Sequence, residues 1–283
     1  MVNILIQGLA LSGLYALLAV GFTMIFSVGR VLNLAYGVYI MLGGYMYYTA
    51  VQVMGLPKIG GFLFAIAAGI AFAVLTYSIL VRRLEGNPVA VEIATLILAV
   101  VMQSLIILIY RPVSKSMWPV VQGVFRYEGV FVTYNLLVAM VVSWVALAGL
   151  LIFVRYTRYG RAIQAVSMDR KGAIISGIDP RRMNLLTWAI SGALGALAGV
   201  FFATYTQLNP SMWVGPLIVA VAVVVVGGIG SIVGSLIVAH IIGFMETFTT
   251  AMIAAELRGV FTMVLIIVVL VVAPKGLFGR GEL

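Results

Sequence analysis

The chain has 283 residues, of which 64% are hydrophobic and 9% charged, with a mean hydropathy of +1.20, values that exclude an ordinary water-soluble domain. Cys is absent and His240 is the single histidine, which excludes disulfides, thiolate metal sites and His-cluster chemistry. The net charge of +9 is that expected of Lys and Arg gathered in cytoplasmic loops, so lipid and not nucleic acid is the expected surrounding.

Apolar runs lie at 4–26, 34–53, 62–81, 93–110, 131–154, 185–205, 214–226, 232–248 and 260–273. A membrane-crossing helix needs about 20 apolar residues, and runs this long and evenly apolar do not suit barrel strands. The expected fold is all-α, a polytopic transmembrane bundle forming one domain over residues 1–283. The seventh run is short, so eight full crossings are expected, with a ninth if that run spans by tilting. The first run has no basic residue ahead of it and nothing charged before Arg30, so it reads as a retained span rather than a secretory signal.

Basic residues give the orientation. The stretch 155–182, RYTRYGRAIQAVSMDRKGAIISGIDPRR, carries seven of the seventeen Lys and Arg residues and is placed in the cytoplasm. Counting outward, Arg30, Arg82, Arg83, Lys275 and Arg280 also fall inside, with the N-terminus outside and the C-terminus cytoplasmic. Arg111, Lys115 and Arg126 fall outside, in a long loop containing Pro.

Within 155–182, residues 160–176 read as a short helix with Ala162, Ile163, Val166, Ala173 and Ile174 recurring every three to four residues. Gly177 provides a left-handed stop and Pro180 lies beyond it. Two readings stand: an amphipathic helix lying on anionic headgroups, or a knob that docks into a soluble partner. In the sixth run SGALGALAG places Gly192, Gly195 and Gly199 nearly on one face, a pattern for close helix packing.

Polar and permissive residues within spans are candidates for a path through the membrane. Asn33, Tyr36, Gly37, Gly44 and Tyr47 form a stripe that either faces a pore or packs on a helix. Gly227, Gly228, Gly230 and Ser231, in GGIGSIVG, make either a tight cytoplasmic turn or unwound backbone along the route. The stretch lacks the Lys-Ser/Thr ending of a phosphate loop. His240 falls near the midplane, where a hydrogen-bonded structural role is the commoner one. Glu246 is six residues on and faces another way, so the two form no local relay.

Five stretches in order resemble the permeases of ABC transporters for branched-chain amino acids. RAIQAVSMDRKGAIISGID is similar to that family's coupling loop, with Arg161, Ala162, Ala165, Val166, Asp169, Ala173, Gly177 and Ile178 at its characteristic places and Gly160 just ahead. LNLAYG at 32–37, IATLILAVVMQ at 93–103 with Thr95, GGIGSIVGSLIVA at 227–239 and APKGLFG at 273–279 complete the set. Tyr36 stands where the family often has His, and Leu98 where Gly is usual.

The resemblance implies an importer subunit in a prokaryotic inner membrane that translocates leucine, isoleucine and valine. It implies two cytoplasmic ATPases docked on the coupling loop, a second permease subunit, most simply as a heterodimer, and an extracytoplasmic solute-binding protein. This chain is then not an enzyme and holds no cofactor, with ATP bound by its partners. Alternatives are an importer of urea, short amides or small carboxylates, and an independent ion-coupled carrier. The carrier reading is weakened because Glu92 and Glu246 fall near span ends. An intramembrane enzyme has no plausible Ser-His-Asp set.

Overall fold

The computed structural model describes residues 2–278 apart from 128, 129, 229, 255, 256, 258, 274 and 275. Lys275 and Arg280, assigned above to the inner side, lie outside the described residues, as do Pro274 and Gly279 of the tail motif and Ile229 of the Gly-rich stretch.

Each of the nine apolar runs contains a helix. In chain order the helices are α1 (Val2–Gly29), α2 (Tyr36–Tyr48), α3 (Lys58–Leu75), α4 (Pro88–Tyr110), α5 (Tyr134–Tyr156), α6 (Arg158–Met168), α7 (Arg170–Ile175), α8 (Pro180–Thr206), α9 (Val214–Gly227), α10 (Ile232–Met252) and α11 (Val260–Val272). α2 continues through a π-helical turn, Thr49–Val53, and α3 through Thr76–Leu80 and the 3-10 turn Val81–Arg83. Several starts are written in side chains that take up free backbone N–H groups. Asn87 accepts from Ala90 N ahead of Pro88, Asp179 from Arg181 N ahead of Pro180, and Ser231 from Gly234 N. Proline in the first turn removes a donor that would have no partner there.

Six helical segments among the described residues are long and apolar enough to cross a membrane: Val2–Gly29, Lys58–Arg83, Pro88–Tyr110, Tyr134–Tyr156, Pro180–Thr206 and Ile232–Met252. This establishes a multi-pass helical bundle with six candidate spans, against the eight or nine expected. α9 and α11, of 14 and 13 residues, reach only about 20 Å. α2 carries five tyrosines in 13 residues, which lowers its hydropathy although nearly all of it is buried.

α1, α2 and α8 form the interior, and α3, α5, α9 and α10 pack around them, while α4 and α11 present mostly exposed apolar faces. Water does not drive helices together within lipid, so close backbone approach must contribute instead. The predicted small-residue face does this: Gly192 meets Gly69 and Ala73 of α3, while Gly195 meets Tyr39 and Gly199 meets the Ile40 carbonyl of α2. On the other side of α1, Gly243 of α10 packs against the backbone of Ser12.

The all-α expectation missed one element. Strands β1 (Val124–Tyr127) and β2 (Val130–Thr133) form an antiparallel hairpin, with Phe125 opposite Val132. β-branched and aromatic residues on both sides of Gly129 carry that signal, which the apolar run 131–154 obscured. The hairpin end of the bundle is tied together by Phe131 N donating to Asn3 Oδ1 at 2.9 Å, Lys58 Nζ to the carbonyls of Pro119 and Val120, and a bridge between Lys115 and Leu208. At the opposite end Arg30 reaches the Ser167 carbonyl, Arg170 pairs with Glu85 at 3.3 Å, and Leu277 N donates to Val226 O. That second end gathers Arg30, Arg82, Arg83 and the basic residues of 155–182. Lys58, Arg111, Lys115 and Arg126 belong to the first.

Candidate functional site

The loop expected to be one helix is two, broken at Asp169. Thr157 starts α6 by accepting from Gly160 N at 2.9 Å, and Gly160 has no Cβ because one would collide with the backbone of Phe153 and Val154. Asp169 has extended backbone angles (φ −146°, ψ 105°), and its carboxylate accepts from Lys171 N at 2.9 Å, so it ends α6 and starts α7. The competition of a short acidic side chain for nearby backbone N–H groups favours such a break. α7 ends as expected at Gly177, whose φ of +79° suits glycine. Gly177 N donates to Ile174 O and Ile178 N to Ala173 O, the paired bonds of a Schellman stop, and Asp179 then starts α8.

The apolar stripe of this loop faces the protein itself. Ile163, Val166 and Ala173 form a small second core with Val28 of α1 and Met183 of α8, and Ala162, Ala165 and Ile178 pack at its edge. Burial by the bundle thus replaces the external partner that these residues were expected to need. Tyr159, Met168, Ile174 and Ile175 are the large apolar residues of α6 and α7 left outside, and Ile175 is 87% exposed. Ile174 was in the predicted stripe. The other three were not, because which side of an amphipathic helix faces out depends on where the bundle lies. Arg161 and Asp169 are exposed.

At the start of α2 the structure brings Asn33 and Thr95 together. Asn33 is 1% exposed, accepts from Ala35 N and donates to the Tyr39 hydroxyl at 3.0 Å, while Leu34 N donates to Thr95 Oγ1 at 3.1 Å. These bonds satisfy the non-helical backbone between α1 and α2, as buried polar groups require. Tyr36 stacks edge-on with Phe22 and Tyr39, and its hydroxyl has no hydrogen-bond partner, as is also true of Tyr45 and Tyr47. Gly37 lies against the Trp213 carbonyl, and Gly44 against Ala203 and Leu208. The stripe is therefore enclosed by helices in this conformation, with the unused hydroxyls of Tyr36 and Tyr47 along it.

The Gly-rich stretch is a tight turn between α9 and α10 at the basic end of the bundle. Gly228 and Gly230 have φ of +93° and +86°, Ser27 donates to the Gly230 carbonyl at 3.1 Å, and Gly227 lies on the backbone of Gly234. Ser231 N donates to Gly228 O, and its hydroxyl caps α10.

His240 stands apart from the Asn33 cluster. Its Nδ1 donates to the Leu236 carbonyl at 2.7 Å, its ring meets Trp144 edge-on, and Nε2 is buried without a partner. Glu246 is not peripheral, because α10 extends beyond the predicted run to Met252. It is 4% exposed and accepts a 2.6 Å hydrogen bond from the Tyr15 hydroxyl, halfway along α1. Hydropathy alone set that boundary too early.

Comparison with known proteins agrees with this architecture. Residues 4–270 match the family model described as branched-chain amino acid transport system / permease component. The high-affinity branched-chain amino acid transport system permease protein LivH of Escherichia coli (strain K12) is 31% identical over 98% of this chain and 94% of its own length. Its counterpart in Salmonella typhimurium is 30% identical over the same shares. The permease protein BraD of Pseudomonas aeruginosa is 28% identical over 98% of this chain and 95% of its own. No solved structure matches the chain.

Proposed function

The chain belongs to the family of branched-chain amino acid transport system permease components, and from that premise we propose that it moves leucine, isoleucine and valine as one membrane subunit of an ATP-driven importer. A permease component is a transport subunit and not an enzyme. The observation that carries the proposal is the basic end of the bundle, where α6 and α7 are pinned to α1 and α8 by a small apolar core while Ile174 and Ile175 stand exposed. A part that transmits force must be rigid where it joins the bundle and sticky where it meets its partner. ATP is held by two cytoplasmic ATPases docked there, a second permease subunit completes the path, and a solute-binding protein delivers from the opposite face.

The path is proposed to open along α2, past Asn33, Tyr36, Gly37, Gly44 and Thr95, where unpaired tyrosine hydroxyls offer hydrogen bonds to a polar solute once the helices part. The turn at Gly227, Gly228, Gly230 and Ser231 supports its inner mouth. His240, buried against Trp144, is assigned a packing role.

Nine crossings fit the ends of the chain better than eight. Asn3 touches the hairpin end and Leu277 the coupling end, so the number of passes is odd, and α2, α9 and α11 each count as one. With basic residues inside, the N-terminus is outside and the coupling loop and C-terminus are cytoplasmic, in a prokaryotic inner membrane. The chain has no Cys, so a single Cys in place of Lys171 reports directly. It is expected to react with an impermeant maleimide only after cells are opened, and labelling in intact cells would reverse the orientation.

One observation favours a second reading. Buried Glu246 is the kind of residue an ion-coupled carrier uses, though its bond to Tyr15 suits helix pairing equally well. Uptake by proteoliposomes separates the two. The chain alone is expected to accumulate no leucine under a proton or sodium gradient, and to do so under ATP only once ATPases, partner permease and binding protein are added. Uphill uptake by the chain alone would establish the carrier, and uptake of urea but not leucine by the full assembly would change the solute class.

A further inference from the structure

At the coupling end a cleft of about 250 Å³ opens between the end of α1, the turn after α3, the start of α4, the α6–α7 break and the start of α8. This is small beside the roughly 300–1,000 Å³ of drug-sized ligand pockets, and it suits a small metabolite. Three charged side chains line it: Arg30, Arg170 and Glu85. Arg30 holds the Ser167 carbonyl at 3.4 Å, and Arg170 holds Glu85 at 3.3 Å. Each guanidinium has five N–H donors, so both retain donors for a further acceptor. Glu85 also accepts from Tyr77 at 2.8 Å, and its two oxygens retain lone pairs.

The cleft also holds a polar atom that the fold leaves unused. Asn184, on the first turns of α8, is 3% exposed, and its Oδ1 is buried without a hydrogen-bond partner. That oxygen faces the end of α1, where a Cβ built on Gly29 would approach it to 3.9 Å. A buried acceptor without a donor is costly, so an orphan at a cleft wall points to a ligand that brings N–H groups. The remaining wall is apolar, with Val31, Val91, Val166 and Trp188 contributed by four segments.

We propose that this cleft is a binding site for a free zwitterionic amino acid with an aliphatic side chain, entered from the coupling side. The carboxylate pairs with Arg30 and Arg170, the ammonium donates to Asn184 Oδ1 and Glu85, and the side chain lies on the valines and Trp188. A simple anion would meet the Glu85 carboxylate and gain nothing from the Asn184 acceptor. A simple cation would meet two guanidinium groups. Only a ligand with both charges uses the three charged side chains and the Asn184 oxygen together. Because Arg170 begins α7 and Ser167 lies in the last turn of α6, an occupant bridges the coupling elements to the turn after α3. The aliphatic side chain rests on the amino acid reading given above; the zwitterion rests on the cleft alone.

A cysteine replacing exposed Met168 at the cleft edge would be the only one in the chain and can be followed by maleimide labelling of the full chain in lipid nanodiscs. L-leucine at about ten times its Kd is expected to slow labelling about tenfold. Leucinamide, which lacks the carboxylate, and isocaproate, which lacks the ammonium, should protect far less. Glu85→Gln and Asn184→Leu, each checked for a monodisperse product, should weaken the affinity for leucine about tenfold or more, the range for a hydrogen bond to a charged group, so that the same leucine slows labelling only about twofold or less. Absence of protection, protection undiminished in both variants, or equal protection by isocaproate or phosphate would each overturn the site. If the assembled importer takes up leucine and the cleft is not protected, this inference alone fails. If it carries a different class of solute while leucine still protects, the site stands and the transport reading falls.

Discussion

Gly199→Leu is expected to leave little or no folded protein, whereas Gly149→Leu is expected to fold at least as well as the parent. A Cβ at Gly199 would land on the Ile40 carbonyl and its neighbours in α2, which are backbone atoms with no rotamer to yield. Overpacking by a flexible side chain costs about 1–3 kcal/mol. Here α2 and α8 themselves must separate, so the cost lies at or beyond the top of that range. Gly149 of α5 has nothing near its missing Cβ, and leucine there gains the helix preference that glycine lacks, of order 1 kcal/mol. The pair can be read by size-exclusion profiles and melting temperatures in one detergent. A Gly199→Leu protein that elutes and melts like the parent would mean that α2 does not lie against α8 as described.

Ile175→Glu is expected to leave the bundle intact and disconnect it from its ATPases. The side chain is 87% exposed, so the change should not unfold the protein. A buried interface anchor carries about 2 kcal/mol or more, a loss of about thirtyfold in affinity. Gly177→Val should act differently, by straining the left-handed residue that ends α7 at a cost of order 1 kcal/mol and redirecting the two isoleucines. In reconstituted complexes both variants should lower solute-stimulated ATP hydrolysis, while capture of the solute-binding protein at the other face is unchanged. If Ile175→Glu retains full stimulation, the exposed isoleucines are not the docking residues. Loss of binding-protein capture by either variant would place the loop on the wrong face.

The loop at 155–182 shows how a correct pattern can leave its burial partner undetermined. The spacing of Ile163, Val166 and Ala173 was sufficient to recognise an amphipathic helix, and Gly177 to recognise its end. The pattern says that one side will be buried, but not by what. Val28 and Met183 lie more than a hundred residues from one of the segments they join, and no local signal announces that they meet there. The same applies to Glu246. Its distance from the end of an apolar run suggested the periphery, and only the longer helix and the position of Tyr15 place it inside.

The helices themselves were decided by local chemistry. A run of apolar residues in lipid has nowhere to satisfy its backbone except within its own turns, and starts such as Asn87-Pro88 and Asp179-Pro180 act within three residues of themselves. The sequence by itself therefore determined that this is a helical membrane protein, where its apolar runs lie, how α7 stops and which end is basic. Only the tertiary structure decided that α2, despite its tyrosines, is an innermost helix, that the loop after α4 carries a hairpin, which isoleucines are left outside, and that Asn184 shares a cleft with Arg30, Glu85 and Arg170. Each of those depends on groups far apart in the chain meeting in space, where close fit and unpaired polar atoms set the energy and periodicity carries no record of the neighbour.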